Sequence, residues 1–178
     1  MPRSLIELDL STNNLTGSIP VSIGNLTNLI PQDIGMLRSL INLGLSKNNL
    51  TGLVPTSIGN LATLTVLHLF KNCISRPIPQ EVGMLRSLIE VELSTNNLKG
   101  SIPASIGNLT NLTILYLYEN QLSGSISQDV GMLRSLIEFD LSTNNLTSSI
   151  PASMRNLTNL IILYLYENQL SGSIPQDV

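Results

Sequence analysis

Few residues of this 178-residue chain are of types that carry out chemistry, and their spacing predicts no catalytic site. His68 is the single histidine, and no serine, cysteine or aspartate stands at a spacing from it that indicates a catalytic triad. Cys73 is the single cysteine, so an internal disulfide is excluded. The chain has no glycine-rich phosphate loop. We therefore expect a protein that is not an enzyme and that needs no cofactor.

Glu90 and Glu92 are the best candidates for cation ligands, because they are separated by one residue in a segment of alternating hydrophobicity. On a β-strand their side chains would lie on one face, roughly 7 Å apart. No compact oxygen-rich loop of the kind that encloses a cation accompanies them. The sequence therefore predicts no metal site.

A repeat of 24 residues organises the chain and must position these side chains. A representative unit, residues 88–111, reads LIEVELSTNNLKGSIPASIGNLTN, or LxxLxLxxNxLxGxIPxxIGxLxx. In each unit the alternating apolar residues predict a short strand, Gly-x-Ile-Pro predicts a bend, and the remainder predicts a short 3₁₀ turn on the outer side. The units begin at Leu5, Leu40, Leu64, Leu88, Leu112, Leu136 and Leu160.

The LxGxIP segment resembles the plant-type extracellular leucine-rich repeat, and the chain as a whole is most similar to ectodomains of plant receptor-like kinases. The resemblance implies a repeat solenoid, a right-handed superhelix with one parallel concave β-sheet of about seven short strands and a convex side of 3₁₀ turns and loops. We expect residues 1–178 to form this single domain. The asparagine that recurs after each strand is predicted to satisfy backbone groups at the bend.

The period breaks once, between Leu29 and Leu40. Pro31 falls where the strand of a unit starting at Leu29 should run, and a central strand does not accept proline. We therefore predict one irregular, oversized first coil with an extra segment at 29–39, so that strand Leu5–Leu10 pairs directly with Leu40–Leu45.

The two ends are expected to be unusual. The last unit is incomplete and neither end has the polar capping repeat that solenoids need. These features predict a fragment or a truncated relative of a receptor ectodomain, with possible self-association through the uncapped ends.

The concave face is the predicted ligand-binding surface, because residues between the repeat leucines point onto it. Eight of the twelve acidic residues lie there and only Lys47 and Lys71 offset them, so the face carries about −6. All four tyrosines share this face. The predicted ligand-binding residues are His68, Phe70, Glu90, Glu92, Tyr116, Tyr118, Glu119, Glu138, Asp140, Tyr164, Tyr166 and Glu167.

The favoured interpretation is a receptor-like recognition module that binds a peptide or protein. We expect this ligand to be basic and a co-receptor to be the second partner. Two alternatives are a secreted inhibitor of a cell-wall-degrading enzyme and an ice-binding or structural solenoid. A duplicated strand also copies its residues whether or not they bind anything. The resemblance offers a further comparison, since paired arginines of some related receptors grip a peptide carboxylate, whereas the matching positions here are acidic or aromatic.

The sequence favours an extracellular or cell-surface origin. It contains seven glycosylation sequons, at Asn14, Asn25, Asn49, Asn108, Asn111, Asn145 and Asn156. We identify no signal peptide and no membrane-spanning segment in it. The net charge of −3 argues against nucleic acid as a partner.

Overall fold

The computed structural model describes residues 5–25 and 40–176, and these form a solenoid of repeated coils. Each coil runs through a concave strand and a short lateral strand, and in the first six coils a 3₁₀ turn follows within the described residues. The strands are β1 (Glu7–Asp9), β2 (Thr16–Ser18), β3 (Asn42–Gly44), β4 (Asn49–Thr51), β5 (Val66–His68), β6 (Ser75–Arg76), β7 (Glu90–Glu92), β8 (Asn97–Gly100), β9 (Ile114–Tyr116), β10 (Gln121–Gly124), β11 (Glu138–Asp140), β12 (Asn145–Ser148), β13 (Ile162–Tyr164) and β14 (Gln169–Leu170). The 3₁₀ turns are η1 (Val21–Asn25), η2 (Thr56–Asn60), η3 (Gln80–Met84), η4 (Ala104–Asn108), η5 (Gln128–Met132) and η6 (Ala152–Asn156).

The odd-numbered strands form one seven-stranded parallel sheet in chain order, which confirms the predicted fold class. Its first pairing joins β1 to β3 with Glu7 opposite Asn42, as predicted for strand Leu5–Leu10 and Leu40–Leu45. Residues 29–39 lie outside the described residues, so the oversized first coil remains a prediction. No helix in the described ranges is long and apolar enough to cross a membrane.

The lateral strands form two further parallel sheets that the sequence analysis did not predict. β2 pairs with β4, and β6, β8, β10, β12 and β14 pair in succession. Their glycines, such as Gly52 and Gly100, have φ of 78° and 74°, a left-handed conformation that glycine adopts without strain. The LxG segment therefore turns the chain while still pairing with the coils on either side.

The core is a stack of aliphatic side chains between the concave sheet and the 3₁₀ turns. Leu40, Leu64, Leu88, Leu112 and Leu136 are completely buried at the start of their coils. Phe139 is an aromatic residue that is fully buried in this core. Since each layer buries its leucines against its neighbours, the coils depend on one another for stability.

The recurring asparagine satisfies backbone groups at the bend, as predicted, and in addition it joins consecutive coils. The amide nitrogen of Asn96 donates to the carbonyls of Leu69 and Leu93, and its oxygen accepts the backbone N–H of Ile74. Asn48, Asn72, Asn120 and Asn144 bond in the same pattern. This ladder fixes the spacing and direction of the strands that carry the concave side chains.

Candidate functional site

Strands β3, β5, β7 and β9 each bury their middle residue and leave their first and third side chains on the concave face, whereas the middle residues of the outermost strands β1 and β13 are partly buried. The parallel register then aligns equivalent positions of successive coils as rows. One row runs across the third strand positions, in the order Asp9, Gly44, His68, Glu92, Tyr116, Asp140 and Tyr164. The other runs across the first positions, in the order Glu7, Asn42, Val66, Glu90, Ile114, Glu138 and Ile162. The structure thus places the predicted strand residues of the site side by side.

Aromatic pairs and acidic pairs alternate along the sheet. The rings of Tyr116 and Tyr118 meet edge to face with centroids 6.2 Å apart, and those of Tyr164 and Tyr166 are 5.9 Å apart. His68 and Phe70 form the same arrangement at 6.2 Å. Such edge-to-face contacts restrict the orientation of the rings, so that they form a rigid surface. Tyr164 and Tyr166 are the most accessible of them, with 49% and 59% of their surface exposed.

The acidic side chains of the face accept hydrogen bonds from the neighbouring coil. Nε2 of His68 lies 2.8 Å from Oε1 of Glu90, and the hydroxyl of Tyr116 donates to Oε2 of Glu138. Glu119 and Glu167, at the turn beyond the strands, accept the hydroxyls of Thr95 and Thr143, each at 2.9 Å. Asp140 is buried and accepts both the backbone N–H and the hydroxyl of Ser142. The predicted carboxylates are therefore held in fixed orientations.

Positive charge is scarce beside these carboxylates. In residues 5–25 and 40–176 the one ion-pair geometry is that of His68 with Glu90. The ammonium of Lys47 lies instead over the ring of Phe70, 5.6 Å from its centroid. The acidic face is thus internally hydrogen-bonded without being neutralised.

Three ionisable groups of the face respond to this environment. Burial, with a smaller contribution from the neighbouring Glu90 charge, raises the pKa of Glu92. Burial and the hydrogen bond to Glu138 raise the pKa of Tyr116. Hydrogen bonds from the side chain and backbone of Ser11 lower the pKa of Asp9.

A shallow depression of about 160 Å³ opens beside this face at a place that the sequence analysis did not single out. Gly44 forms the floor of this depression, because it is the one residue without a side chain in the row of third strand positions. Asp9 leans over it, so that a Cβ built on Gly44 would lie 2.7 Å from Oδ1 of Asp9. The residues lining it are Glu7, Leu8, Asp9, Asn42, Leu43, Gly44, Val66 and His68. The sequence does contain a signal for this depression, namely the single glycine among the larger residues at the third strand positions.

A second arrangement that the sequence analysis missed joins His68 to the acidic pair on the next strand. One ligand atom each of His68, Glu90 and Glu92 lies within 4.8 Å of the others. Spacing along one strand pairs Glu90 with Glu92 but does not bring in the histidine of the adjacent coil. The register that aligns His68 with Glu92 was the missing signal.

The sequon asparagines are all exposed and stand outside the concave strands. Asn49 and Asn145 begin lateral strands, whereas Asn25, Asn108 and Asn156 end 3₁₀ turns. The side-chain amide of Asn111 is occupied, since it donates to the carbonyl of Arg86 at 3.0 Å. Glycans at these positions would leave the concave face open. Asn14 is likewise exposed, outside the concave strands.

Comparison with known proteins gives family and structural relatives. The family model described as Leucine Rich Repeat matches residues 4–26, 39–61, 87–109, 111–133, 135–157 and 159–178. None of the curated protein sequences compared with the chain matches it significantly.

Solved plant receptor structures superpose on nearly the whole chain. A TDR receptor structure has 34% identity and a TM-score of 0.88 over 96% of this chain and 28% of its own. The Arabidopsis receptor kinase HAESA, in complex with the peptide hormone IDA and the co-receptor SERK1, has 37% identity and a TM-score of 0.87 over 97% of this chain and 28% of its own. The PEPR1–AtPEP1 complex has 36% identity and a TM-score of 0.69 over 97% and 30%.

The chain thus spans under a third of the length of these receptors. Its repeat pattern, its parallel sheet with 3₁₀ turns and the matching family model agree over most of its length. The chain belongs to the leucine-rich-repeat family, in the form found in plant receptor-kinase ectodomains.

Proposed function

We propose that this chain is a non-catalytic recognition module that binds an extended, basic peptide or protein segment on its concave face. The observation that carries the proposal is the unneutralised row of oriented carboxylates between rigid aromatic pairs. Carboxylates that are already oriented lose little freedom when they bind a cationic group. Tyrosine rings add apolar contact area with a polar tip.

The dimensions of the face fit a short extended chain. Seven strands spaced about 4.8 Å apart span about 29 Å, which an extended peptide covers with about nine residues. Such a peptide crosses the strands and meets acidic and aromatic coils alternately. Since alternate side chains of an extended peptide point to the same side, a peptide with basic residues at every second position presents all of its cations to the acidic face.

The relatives support this assignment. HAESA was solved with a peptide hormone and a co-receptor, and PEPR1 with AtPEP1. By analogy we extend the proposal to a peptide ligand, a co-receptor ectodomain as second partner, and an extracellular location. The exposed sequons outside the concave strands agree with that location.

The proposal is tested with two synthetic peptides of nine residues, one alternating lysine with leucine and the other glutamate with leucine. Titration calorimetry is expected to show binding of the lysine peptide alone, with affinity falling as salt rises. The double variant Tyr164→Ala/Tyr166→Ala should weaken that binding. Since both rings are exposed, the variant should stay folded.

The matched control removes exposed side chains from the convex side. Met84 and Met132 end 3₁₀ turns and are 60% and 52% exposed, so Met84→Ala/Met132→Ala deletes apolar surface away from the concave strands. Binding by this control should equal that of the wild type. Equal losses in both variants, or a preference for the glutamate peptide, would contradict the proposal. Inhibition of a polygalacturonase would favour the inhibitor alternative instead.

A further inference from the structure

The cluster of His68, Glu90 and Glu92 combines three metal-ligating groups from two adjacent strands. His68 ends β5, and Glu90 and Glu92 begin and end β7. Nε2 of His68 and Oε1 of Glu90 are already 2.8 Å apart, and all three ligand atoms lie within 4.8 Å of one another. Ligands on a tetrahedral zinc ion are about 3.3 Å apart at bond lengths near 2.0 Å. Glutamate rotamers of ordinary energy bridge the remaining distance.

The backbone beneath the cluster is fixed more firmly than a surface loop would be. His68 and Glu92 are partners in the parallel register, and the pairing continues to Tyr116 on the far side. The ring of His68 is braced edge to face by Phe70. All three ligand residues are half-buried, so part of their water is already displaced.

The electrostatic surroundings favour a cation. Asp9 is near enough to His68 for their charges to interact, which adds a third carboxylate around the imidazole. Besides His68 itself, Lys47 is the positive charge that acts on Glu92, and its ammonium is directed over Phe70. Two glutamates and one imidazole leave a negative charge that a divalent ion neutralises. A metal ion would replace the hydrogen bond between Nε2 of His68 and Oε1 of Glu90, and the two atoms would move apart to about 3.3 Å.

An internal copy of the same arrangement supplies a natural comparison. Two coils further on, Tyr116, Glu138 and Asp140 stand at the positions of His68, Glu90 and Glu92. Tyr116 bonds to Glu138 as His68 does to Glu90. The second copy keeps the carboxylates and the cross-strand bond but has a phenol where the first has an imidazole. Only the first copy therefore offers a nitrogen ligand.

We infer that His68, Glu90 and Glu92 form a three-ligand site for a divalent transition-metal ion of the zinc class on the concave face. The imidazole selects zinc, cobalt or nickel over calcium and magnesium, which prefer oxygen ligands alone. Three protein ligands leave at least one coordination position open for water or for a group of a bound molecule. This revises the expectation of no metal site, and it stands apart from the proposed peptide binding.

The test is titration of the metal-stripped, untagged protein with Zn²⁺ alone, followed by Co²⁺ absorption spectroscopy. We expect one equivalent of zinc, affinity that rises with pH because protons compete for the ligands, and a cobalt spectrum with a nitrogen ligand. His68→Tyr should weaken binding at least about tenfold, because even residues outside the ligand sphere have effects of that size. This substitution copies the second arrangement, so the fold should be retained.

The control Glu138→Gln/Asp140→Asn removes the equivalent carboxylates of the second copy and should leave zinc affinity unchanged. If His68→Tyr fails to fold, the zinc affinity of Glu90→Gln/Glu92→Gln is measured instead. We expect the same loss of affinity in this variant. Absence of zinc binding by the wild type would overturn the inference. So would zinc binding that survives these substitutions, or a preference for calcium.

Discussion

The hydroxyl of Tyr116 donates a hydrogen bond to the carboxylate of Glu138 on the next strand, and His68 and Glu90 make the same contact two coils earlier. The two contacts occupy equivalent positions of coils that are 48 residues apart, or two repeats of 24. One scaffold therefore presents a phenol in one copy and an imidazole in the other. Tyr116 in place of His68, together with Asp140 in place of Glu92, separates a purely hydrogen-bonded pair from the proposed metal site.

The Tyr116–Glu138 contact should be visible in a spectrophotometric titration of the tyrosines. Burial and the hydrogen bond to Glu138 raise the pKa of Tyr116, so its tyrosinate absorbance should appear at higher pH than that of a free tyrosine. Glu138→Gln removes the negative charge and should lower this pKa. A titration curve that is the same in wild type and variant would contradict the assignment.

The same contact has a consequence for stability. The pKa of Tyr116 is higher in the folded state than in the unfolded chain. The stabilisation that this difference provides is therefore complete below about pH 10, where the unfolded phenol is also protonated. Stability should then fall as pH rises above that value. Tyr116→Phe cannot ionise and should show a shallower fall, measured by urea unfolding at a series of alkaline pH values.

The asparagine ladder predicts a large loss of stability from one substitution. Asn96 bonds to the carbonyls of Leu69 and Leu93 and to the N–H of Ile74, all of them buried contacts. Asn96→Ala leaves the buried N–H of Ile74 without a partner, whereas the carbonyls of Leu69 and Leu93 still accept from Asn72 and Asn120. The free energy of unfolding should therefore fall by about 2 kcal/mol. Urea unfolding followed by circular dichroism measures this value.

Asn13 provides the matched control for the ladder. It occupies the equivalent position in the first coil, where its amide bonds to the carbonyls of Leu10 and Ser11 in exposed contacts. Since water can replace exposed partners, Asn13→Ala should cost less than about 1 kcal/mol. Equal costs at both positions would show that the ladder does not act through buried backbone groups.

The ladder and the concave placement of the tyrosines were predictable because both follow from periodicity. A period of two assigns side chains to a face, and a constant spacing aligns equivalent residues in rows. The lateral sheets were not predicted, since strands such as Ser75–Arg76 are too short to show alternation. These strands are defined by their backbone pairing with the neighbouring coils and not by a hydrophobic pattern in the sequence.

The details of the candidate site depend on choices that periodicity does not determine. Register makes His68 and Glu92 neighbours, but side-chain rotamers decide that His68 bonds to Glu90 instead. The depression at Gly44 likewise exists because Asp9 leans across the gap toward Ser11. The sequence shows the glycine, whereas the shape of the gap follows from packing and hydrogen bonding in three dimensions.

Glu92 should destabilise the metal-free protein at neutral pH. Burial raises its pKa in the folded state, so the native protein binds the proton more tightly than the unfolded chain does. The cost of burying the ionised Glu92 carboxylate is absent below about pH 4, and it lowers the free energy of unfolding as pH rises through the pKa of the folded state. Because the side chain is only half-buried, Glu92→Gln should raise the free energy of unfolding at pH 7 by about 0.5 kcal/mol or less.

Thermal unfolding in the presence of a chelator tests this prediction at pH 7 and pH 3.5. The exposed Glu167, substituted in Glu167→Gln, controls for the removal of one carboxylate from the face. Stabilisation by Glu92→Gln should appear at pH 7 and vanish at pH 3.5. A variant less stable than the wild type at pH 7 would mean that the bond from Ser94 outweighs the cost of burial.

Two glycines should respond differently to the same substitution. A Cβ on Gly107, in η4, would lie 2.5 Å from the backbone oxygen of Asp129 in the next coil. Backbone cannot move without separating the stacked turns, so Gly107→Ala should lower the free energy of unfolding by about 2 kcal/mol. The obstacle at Gly44 is instead the carboxylate of Asp9, which can rotate away, and Gly44→Ala should cost less than about 1 kcal/mol.

Peptide titration then shows whether the depression takes part in binding. Gly44→Ala fills the floor of the depression and displaces Asp9, while β1, β3 and β5 keep their register. If a basic side chain of the ligand enters there, Gly44→Ala should weaken binding of the alternating lysine–leucine peptide although the protein remains stable. Full affinity in this variant would confine recognition to the strands from Glu90 onward, where the tyrosine variants should then account for the whole effect.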